Sequence, residues 1–180
     1  KTSFQGKEVC LLHGVTSSGK TEIYIKLIED YIKAGKQVLY LLPEIALTTQ
    51  LVGRLTAYFG NQVAVFHSKY SNNERVEVWK QVLENSPKAK IVIGARSSLF
   101  LPFQYLGLVI IDEEHEQTFK QHDPAPRYHA RDSAIVLANS HQSKVLLGSA
   151  TPSLETYFNA TNDKFGLVEI TERFGNVMMP

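Results

Sequence analysis

The sequence is poor in several things at once. It has one cysteine, Cys10, in 180 residues, so no disulfide can close within the chain and no thiolate cluster is present for a structural zinc site. Cys10 lies in an apolar run, where a buried, inert thiol is expected. Long hydrophobic runs are missing as well. The longest candidate, VLYLLPEIAL, is interrupted by Pro43 and Glu44 and falls short of the roughly 20 residues that cross a bilayer. The opening KTSFQGKEVC has no secretory pattern. Charge of one sign is not in excess either: 19 Lys and Arg against 18 Asp and Glu leave a net charge of +1. No general basic field advertises nucleic acid, so any such binding has to come from local arrangement. Repeats and low-complexity tracts are also lacking.

What remains is ordinary for a globular protein, with 43% apolar and 21% charged residues. The length suits one compact α/β domain burying about 70% of the surface of its unfolded chain. Starting at Lys1 and ending in NVMMP, the chain reads as a cytosolic piece of a longer protein, with residues 1–180 forming a single domain.

Runs rich in Val, Ile and Leu recur at EVCLLHG, QVLYLLP, QVAVFHS, KIVIGAR, LGLVIID and KVLLGSA, and GLVEIT offers a further one. Their continuous hydrophobicity predicts strands covered on both faces. Helical periodicity between them predicts helices over 21–34, 44–59, 72–83, 131–140 and 153–159, with Gly35 and Gly60 as stops behind two of them. The alternation predicts a doubly wound, mainly parallel α/β sheet. In such sheets ligands gather beyond the carboxyl ends of the strands. The polar signatures of this chain follow its apolar runs, and so are predicted to share one edge.

The first is GVTSSGKT. Gly14, Val15, Thr16, Ser17, Ser18, Gly19, Lys20 and Thr21 fit G-x-x-x-x-G-K-[ST], a loop whose backbone N–H groups surround a polyphosphate. Lys20 is placed to neutralise the outer phosphates of ATP, and the Thr21 hydroxyl to ligate Mg2+. Kinases, GTPases, transporters and DNA motors all use this cradle, so the loop alone does not choose among them. The second is VIIDEEHE, in which an apolar strand runs into consecutive acids. Asp112 is positioned to hold Mg2+ and Glu113 to orient and deprotonate the attacking water. His115 is a candidate relay of nucleotide state. Its partners would be Ser149 and Thr151 of GSATPS, two hydroxyls at the end of the next core strand.

Blocks matching GVTSSGKTEIY, LLPEIALT, FHSKYSNNERVEVW, IVIGARSSLFLPF, VIIDEEHEQTFKQ, RYHARD and LGSATPSLET occur in this order in the superfamily 2 helicases, and nearly the whole chain resembles the replication-restart members of that superfamily. Two departures are visible: Ser17 or Ser18 stands where the family often has glycine, and HDPAP makes the segment before RYHARD rich in proline. The resemblance implies the first of two RecA-like lobes of a P-loop NTPase, an ATP-driven 3′-to-5′ DNA helicase that reloads replication at stalled forks in the bacterial cytoplasm and nucleoid. It implies ATP and Mg2+ as cofactors, with zinc only in a part of the protein outside this chain. The partners it implies are single-stranded and branched DNA, the primosome and single-strand-binding proteins.

Candidate DNA contacts follow from local chemistry. Backbone N–H groups near Glu44 and Ile45, with the Thr48 hydroxyl, can hold a strand phosphate, and Arg96, Ser97 and Ser98 can do the same. In EQTFKQHDPAPRYHARD, Phe119, Tyr128 and His129 offer flat surfaces for bases, while Lys120, Arg127 and Arg131 can pair with phosphates. The competing reading is that Phe119 and Tyr128 pin a long loop to the core. At the level of function, a nucleotide-gated DNA-binding module and a non-helicase P-loop ATPase remain as alternatives. The acids Asp112 and Glu113 speak against the first, and GSATPS and RYHARD against the second.

Overall fold

The structure, a computed structural model, describes residues 4, 6–15, 18–43, 49–68 and 70–171. Within them a seven-stranded sheet runs in the order β3-β4-β2-β5-β6-β1-β7, with β1 Val9–Gly14, β2 Gln37–Leu41, β3 Val63–Phe66, β4 Ile91–Gly94, β5 Leu106–Asp112, β6 Lys144–Ser149 and β7 Gly166–Ile170. Every pairing is parallel. Five α-helices connect these strands among the described residues: α1 Lys20–Lys33, α2 Thr49–Phe59, α3 Asn72–Leu83, α4 Ala130–Ser140 and α5 Leu154–Thr161.

Alternation along each strand explains the double layering. Leu11, Leu39, Leu41, Val109, Ile111 and Leu147 point into one core, shared with Val82 of α3, with Ala130, Ala134 and Ala138 of α4, and with Ala160 of α5. Their neighbours Leu12, Val38, Tyr40, Ile93, Ile110 and Leu146 point the other way, onto Tyr24, Ile25 and Ile28 of α1 and Leu55 and Phe59 of α2. Side chains of period two thus fill two cores at once, which is why the strands read as unbroken apolar runs. Cys10 is almost fully buried, and burial pushes its thiol up to about 11, so the expected inertness follows.

The expected helix over 72–83 coincides with α3, fixed by a capping box between Ser71 and Glu74. Others move by a residue or more: α1 begins at Lys20 behind a left-handed Gly19, and α4 begins at Ala130. α5 runs on to Thr161. The helix expected over 44–59 is described from Thr49 on. Gly35 follows α1 with φ of 76° and Gly60 follows α2 with φ of 60°, the left-handed turn that lets a glycine end a helix.

Candidate active site

The sheet order places β1 and β5 on either side of β6, so the loop after β1 and the acids ending β5 face the same edge. Gly14 closes β1 where a Cβ would come within 2.7 Å of the Ser18 hydroxyl and 3.3 Å of the Lys20 chain, so a larger residue would push the Ser18 side chain aside. The Ser18 amide donates to the Val15 carbonyl over 3.1 Å. Gly19, with φ of 85°, turns the chain into α1, which exposes free N–H groups at the helix start. The Ser18 hydroxyl is buried without a hydrogen-bond partner, a polar atom held inside the cradle. Lys20 folds back over the loop, its Nζ donating to the Gly14 carbonyl at 2.7 Å. Val15 is partly exposed and Thr21 half-buried. Thr16 and Ser17, named above as loop residues, lie outside the described residues.

Asp112 ends β5 with its carboxylate held on both oxygens by tyrosines. Tyr24 of α1 donates to Oδ1 at 2.9 Å and Tyr40 of β2 to Oδ2 at 3.1 Å. Both rings are fully buried and pack edge to face, 5.6 Å between centroids. Gly148 of β6 makes room for this arrangement, because a Cβ there would run into the Tyr24 hydroxyl. Burial raises the Asp112 carboxyl above the usual carboxylate range, and the tyrosine hydrogen bonds and the Lys20 charge oppose that rise. Glu113 follows in a left-handed conformation, φ 52°, unusual for a residue with a Cβ. Its carboxyl is raised by burial and then by the Asp112 charge, with Lys20 and His115 pulling it down. Lys20, Asp112 and Glu113 therefore act on one another across a single edge. A half-buried carboxylate whose proton affinity burial has raised is the kind of group that abstracts protons.

The expected relay residues also meet. His115 Nδ1 lies 2.8 Å from Ser149 Oγ and 3.7 Å from Glu113 Oε2. The Thr151 hydroxyl lies 3.4 Å from His115 Nε2, and the Thr151 amide donates to Ser149 Oγ at 3.0 Å.

Several features escaped the sequence reading. Tyr24 and Tyr40 were not singled out, although a tyrosine inside a buried stripe signals a hydroxyl in need of a partner. Glu114 was passed over. It is fully buried, its Oε1 accepting from the Ser153 amide at 2.7 Å and its Oε2 from Arg131 at 3.0 Å and Thr156 at 2.9 Å.

That network corrects one expectation. Arg131 does not offer its charge to a DNA phosphate; it is buried, and its guanidinium is taken up by Glu114, Asp132 and Thr156. Phe119 is corrected likewise. It is 1% exposed and belongs to the core beside α4, so its ring pins the loop and has no face for a base. Tyr128 is half-buried and packs on the same core, edge-on to Phe100 at 5.2 Å. His129 is half-buried with its Nδ1 unpartnered, and burial lowers its proton affinity. Lys120 and Arg127 are exposed. Arg96 donates to the Thr118 and Lys120 carbonyls at 3.2 and 3.1 Å, clasping the loop from the β4 side. Ser97 is half-buried and Ser98 fully buried. Glu44, Ile45 and Thr48 lie outside the described residues. A cleft of about 350 Å³ opens between Pro43, Arg96, Phe119, Lys120 and His122.

Comparison with known proteins converges on this geometry. The replication restart protein PriA of Bacillus subtilis is 47% identical over 173 residues, which is 96% of this chain and 21% of that protein. PriA of Haemophilus influenzae is 50% identical over 171 residues, 95% of this chain and 23% of that protein. The chain thus spans between about a fifth and a quarter of the length of these relatives. Among solved structures, RecG bound to a three-way DNA junction superposes with a TM-score of 0.65 at 24% identity, covering 93% of this chain and 21% of that one. The DUF1998 helicase MrfA bound to DNA gives 0.65 at 18%, covering 96% and 25%. At such identities the likeness is one of fold, a RecA-like α/β sheet. The DEAD/DEAH box helicase family model matches residues 2–159, and with the loop, the acids and the hydroxyl turn assembled on one edge, the chain belongs to the DEAD/DEAH box helicases.

Proposed function

We propose that this chain is the ATP-binding motor lobe of a replication-restart DNA helicase, one of two RecA-like lobes, coupling ATP hydrolysis to 3′-to-5′ movement along single-stranded and branched DNA. The observation that supports this most is that the loop after β1 and the acids ending β5 share one sheet edge, where Tyr24 of α1 bonds Asp112 and His115 lies 2.8 Å from Ser149. The cradle fits a polyphosphate: a Cβ at Gly14 would crowd the Ser18 side chain, and that buried serine hydroxyl lies unpartnered within it. Thr21 and Asp112 are hard oxygen donors of the kind Mg2+ takes, and would hold that ion, whose chemistry there is to neutralise charge between the phosphates.

The chain's own residues divide the work. Backbone amides from Gly14 to Thr21 and the Lys20 ammonium bind and orient the terminal phosphates. Glu113 takes the proton of the attacking water. The His115 ring, between Glu113 and the Ser149 and Thr151 hydroxyls, passes the state of the acidic turn to the end of β6. An arginine from the second lobe, outside this chain, completes the charge stabilisation. DNA would run over the cleft beside Arg96, Ser97, Lys120 and Tyr128, and past Glu44, Ile45 and Thr48. Zinc binding, the primosome and single-strand-binding proteins would be engaged by other parts of the full-length protein, working at the nucleoid.

The test is steady-state hydrolysis and forked-duplex unwinding by the full-length native protein and its Glu113→Gln variant. The variant should keep nucleotide affinity and lose at least about a hundredfold in turnover, the scale of a general base. Normal turnover in the variant, or no DNA-dependent hydrolysis in the parent, overturns the reading.

A further inference from the structure

An ionised carboxyl offers about four acceptor positions, two on each oxygen, and on Asp112 most of them are taken. Oδ1 receives two donors, the Tyr24 hydroxyl at 2.9 Å and the Glu113 amide at 3.2 Å. Oδ2 receives one, the Tyr40 hydroxyl at 3.1 Å. Among the described residues no other donor reaches either oxygen. Oδ1 is therefore full, and Oδ2 keeps a single open position. The surroundings fix this occupancy. Both tyrosines are fully buried and packed edge to face, so neither hydroxyl can turn to solvent. Gly148 pairs with Asp112 across β5 and β6 and leaves the space that the Tyr24 hydroxyl fills, since a Cβ there would run into it. Tyr24 also stands one turn beyond Thr21 on α1, so the helix that carries one expected metal donor holds the other.

We propose that Tyr24 sets the cation preference of this site: by filling Oδ1 it holds Asp112 to one acceptor position, on Oδ2, and so selects Mg2+ against Ca2+. The two ions differ in what they ask of a carboxylate. Ca2+ tolerates irregular shells of many oxygens and readily takes both oxygens of one carboxyl group, whereas Mg2+ demands an octahedron and is served by one oxygen, or by a water held on it. With Oδ1 full, chelation through both oxygens requires breaking a hydrogen bond to a buried hydroxyl and leaving that hydroxyl unpaired, which is costly in the interior. Tyr40 imposes no such limit, because it binds the oxygen that stays open. Its task is to aim that oxygen. Both tyrosines act through Asp112 and are positioning residues, and only Tyr24 determines specificity.

This inference rests on the reading of Asp112 and Thr21 as donors to a nucleotide-bound Mg2+, and the experiment separates the two. In the full-length native protein and its Tyr24→Phe and Tyr40→Phe variants, the affinity of a fluorescent, non-hydrolysable ATP analogue is measured with Mg2+, with Ca2+ and with a chelator. A parent that binds the analogue no more tightly with Mg2+ than with chelator overturns the functional reading of the metal site, and this inference with it. Given that dependence, the parent should favour Mg2+ over Ca2+; equal affinity with the two ions overturns the inference alone. Tyr24→Phe should lower the preference about tenfold, the scale on which the hydrogen-bond partners of ligating groups act, through weaker binding with Mg2+ and tighter binding with Ca2+. Tyr40→Phe should weaken binding with both ions alike and leave the preference as in the parent. Binding with chelator should match the parent's in both variants, and a loss that appears equally there assigns the tyrosines to the fold and overturns the inference. So does an unchanged preference in Tyr24→Phe. Should Tyr24→Phe fail to fold, Tyr40→Phe decides, because Oδ1 is still full in it: a preference kept while binding with Mg2+ weakens supports the inference, and a preference lost overturns it.

Discussion

The Lys20 ammonium donates to the Gly14 carbonyl over 2.7 Å, a bond that a phosphate oxygen can replace with a stronger, charge-assisted one. Lys20→Ala removes that donor and leaves β1 and α1 intact. Hydrogen bonds to charged groups are worth about 1.5–3 kcal/mol, so calorimetry should show Mg·ATP affinity reduced at least about tenfold, and unchanged affinity would count against the loop as a phosphate site. The acids give a pH signature. Asp112 and Glu113 both hold protons more tightly in the fold than as free carboxyls, burial being the first cause for each. By linkage, the stability tied to them is fully present below the unfolded carboxyl range and falls as pH rises through their folded values. In the proposed mechanism both act ionised, so activity should run the opposite way, with the acid limb of kcat displaced upward from that of free carboxyls. Tyr40→Phe removes one of the bonds that hold the Asp112 pKa down. It should cost about 1 kcal/mol of stability and move the acid limb to still higher pH, and a pH–rate profile coincident with the parent's would refute the tyrosine's role. Lys20, Asp112, Glu113 and the His115–Ser149 contact were legible because each belongs to a motif with fixed spacing behind a strand. Tyr24, Tyr40, Glu114 and Arg131 were not. Their partners lie 88, 72 and 17 residues away in sequence, and what a polar group does once buried depends on which distant atom meets it.

At the scale of elements, the strands were readable throughout, because burial on both faces writes a continuous apolar run. Helix α3 was readable in full, since Ser71 and Glu74 mark its start chemically. The first residues of α1 and α4 were less so: neither cap, Gly19 nor His129, makes a side-chain capping bond, and their starts are set by the loops that feed them. The loop before α4 carried two readings, and the fold separates them residue by residue. Phe119 is a core side chain, whereas Lys120 stands outside. Deleting a buried phenylalanine ring costs about 3–5 kcal/mol, so Phe119→Ala should lower the thermal midpoint by many degrees, whereas Lys120→Ala should leave it nearly unchanged and weaken binding to single-stranded DNA. Equal midpoints for the two variants in a thermal melt would return Phe119 to the surface reading.

For the molecule as a whole, the position of β1 matters most. It lies between β6 and β7, pairing Val9 with Val145 and Cys10 with Gly166, so the strand that carries the phosphate loop takes both neighbours from the far end of the sequence. A chain cut after Ser140 keeps β2 to β5 but leaves β1 without a partner on either side. It should bind no nucleotide and show no cooperative unfolding transition by circular dichroism, and a sharp melt like that of the intact chain would contradict the topology. The same arrangement has a consequence during synthesis. Of the seven strands, β1 is made first and is barred from the sheet until Val145 and its neighbours have been made, a delay of order ten seconds at usual elongation rates. Over that interval VCLLHG is an apolar segment whose two neighbours in this sheet, β6 and β7, have yet to be made, and unpaired apolar segments of this kind are the ones prone to aggregate during synthesis.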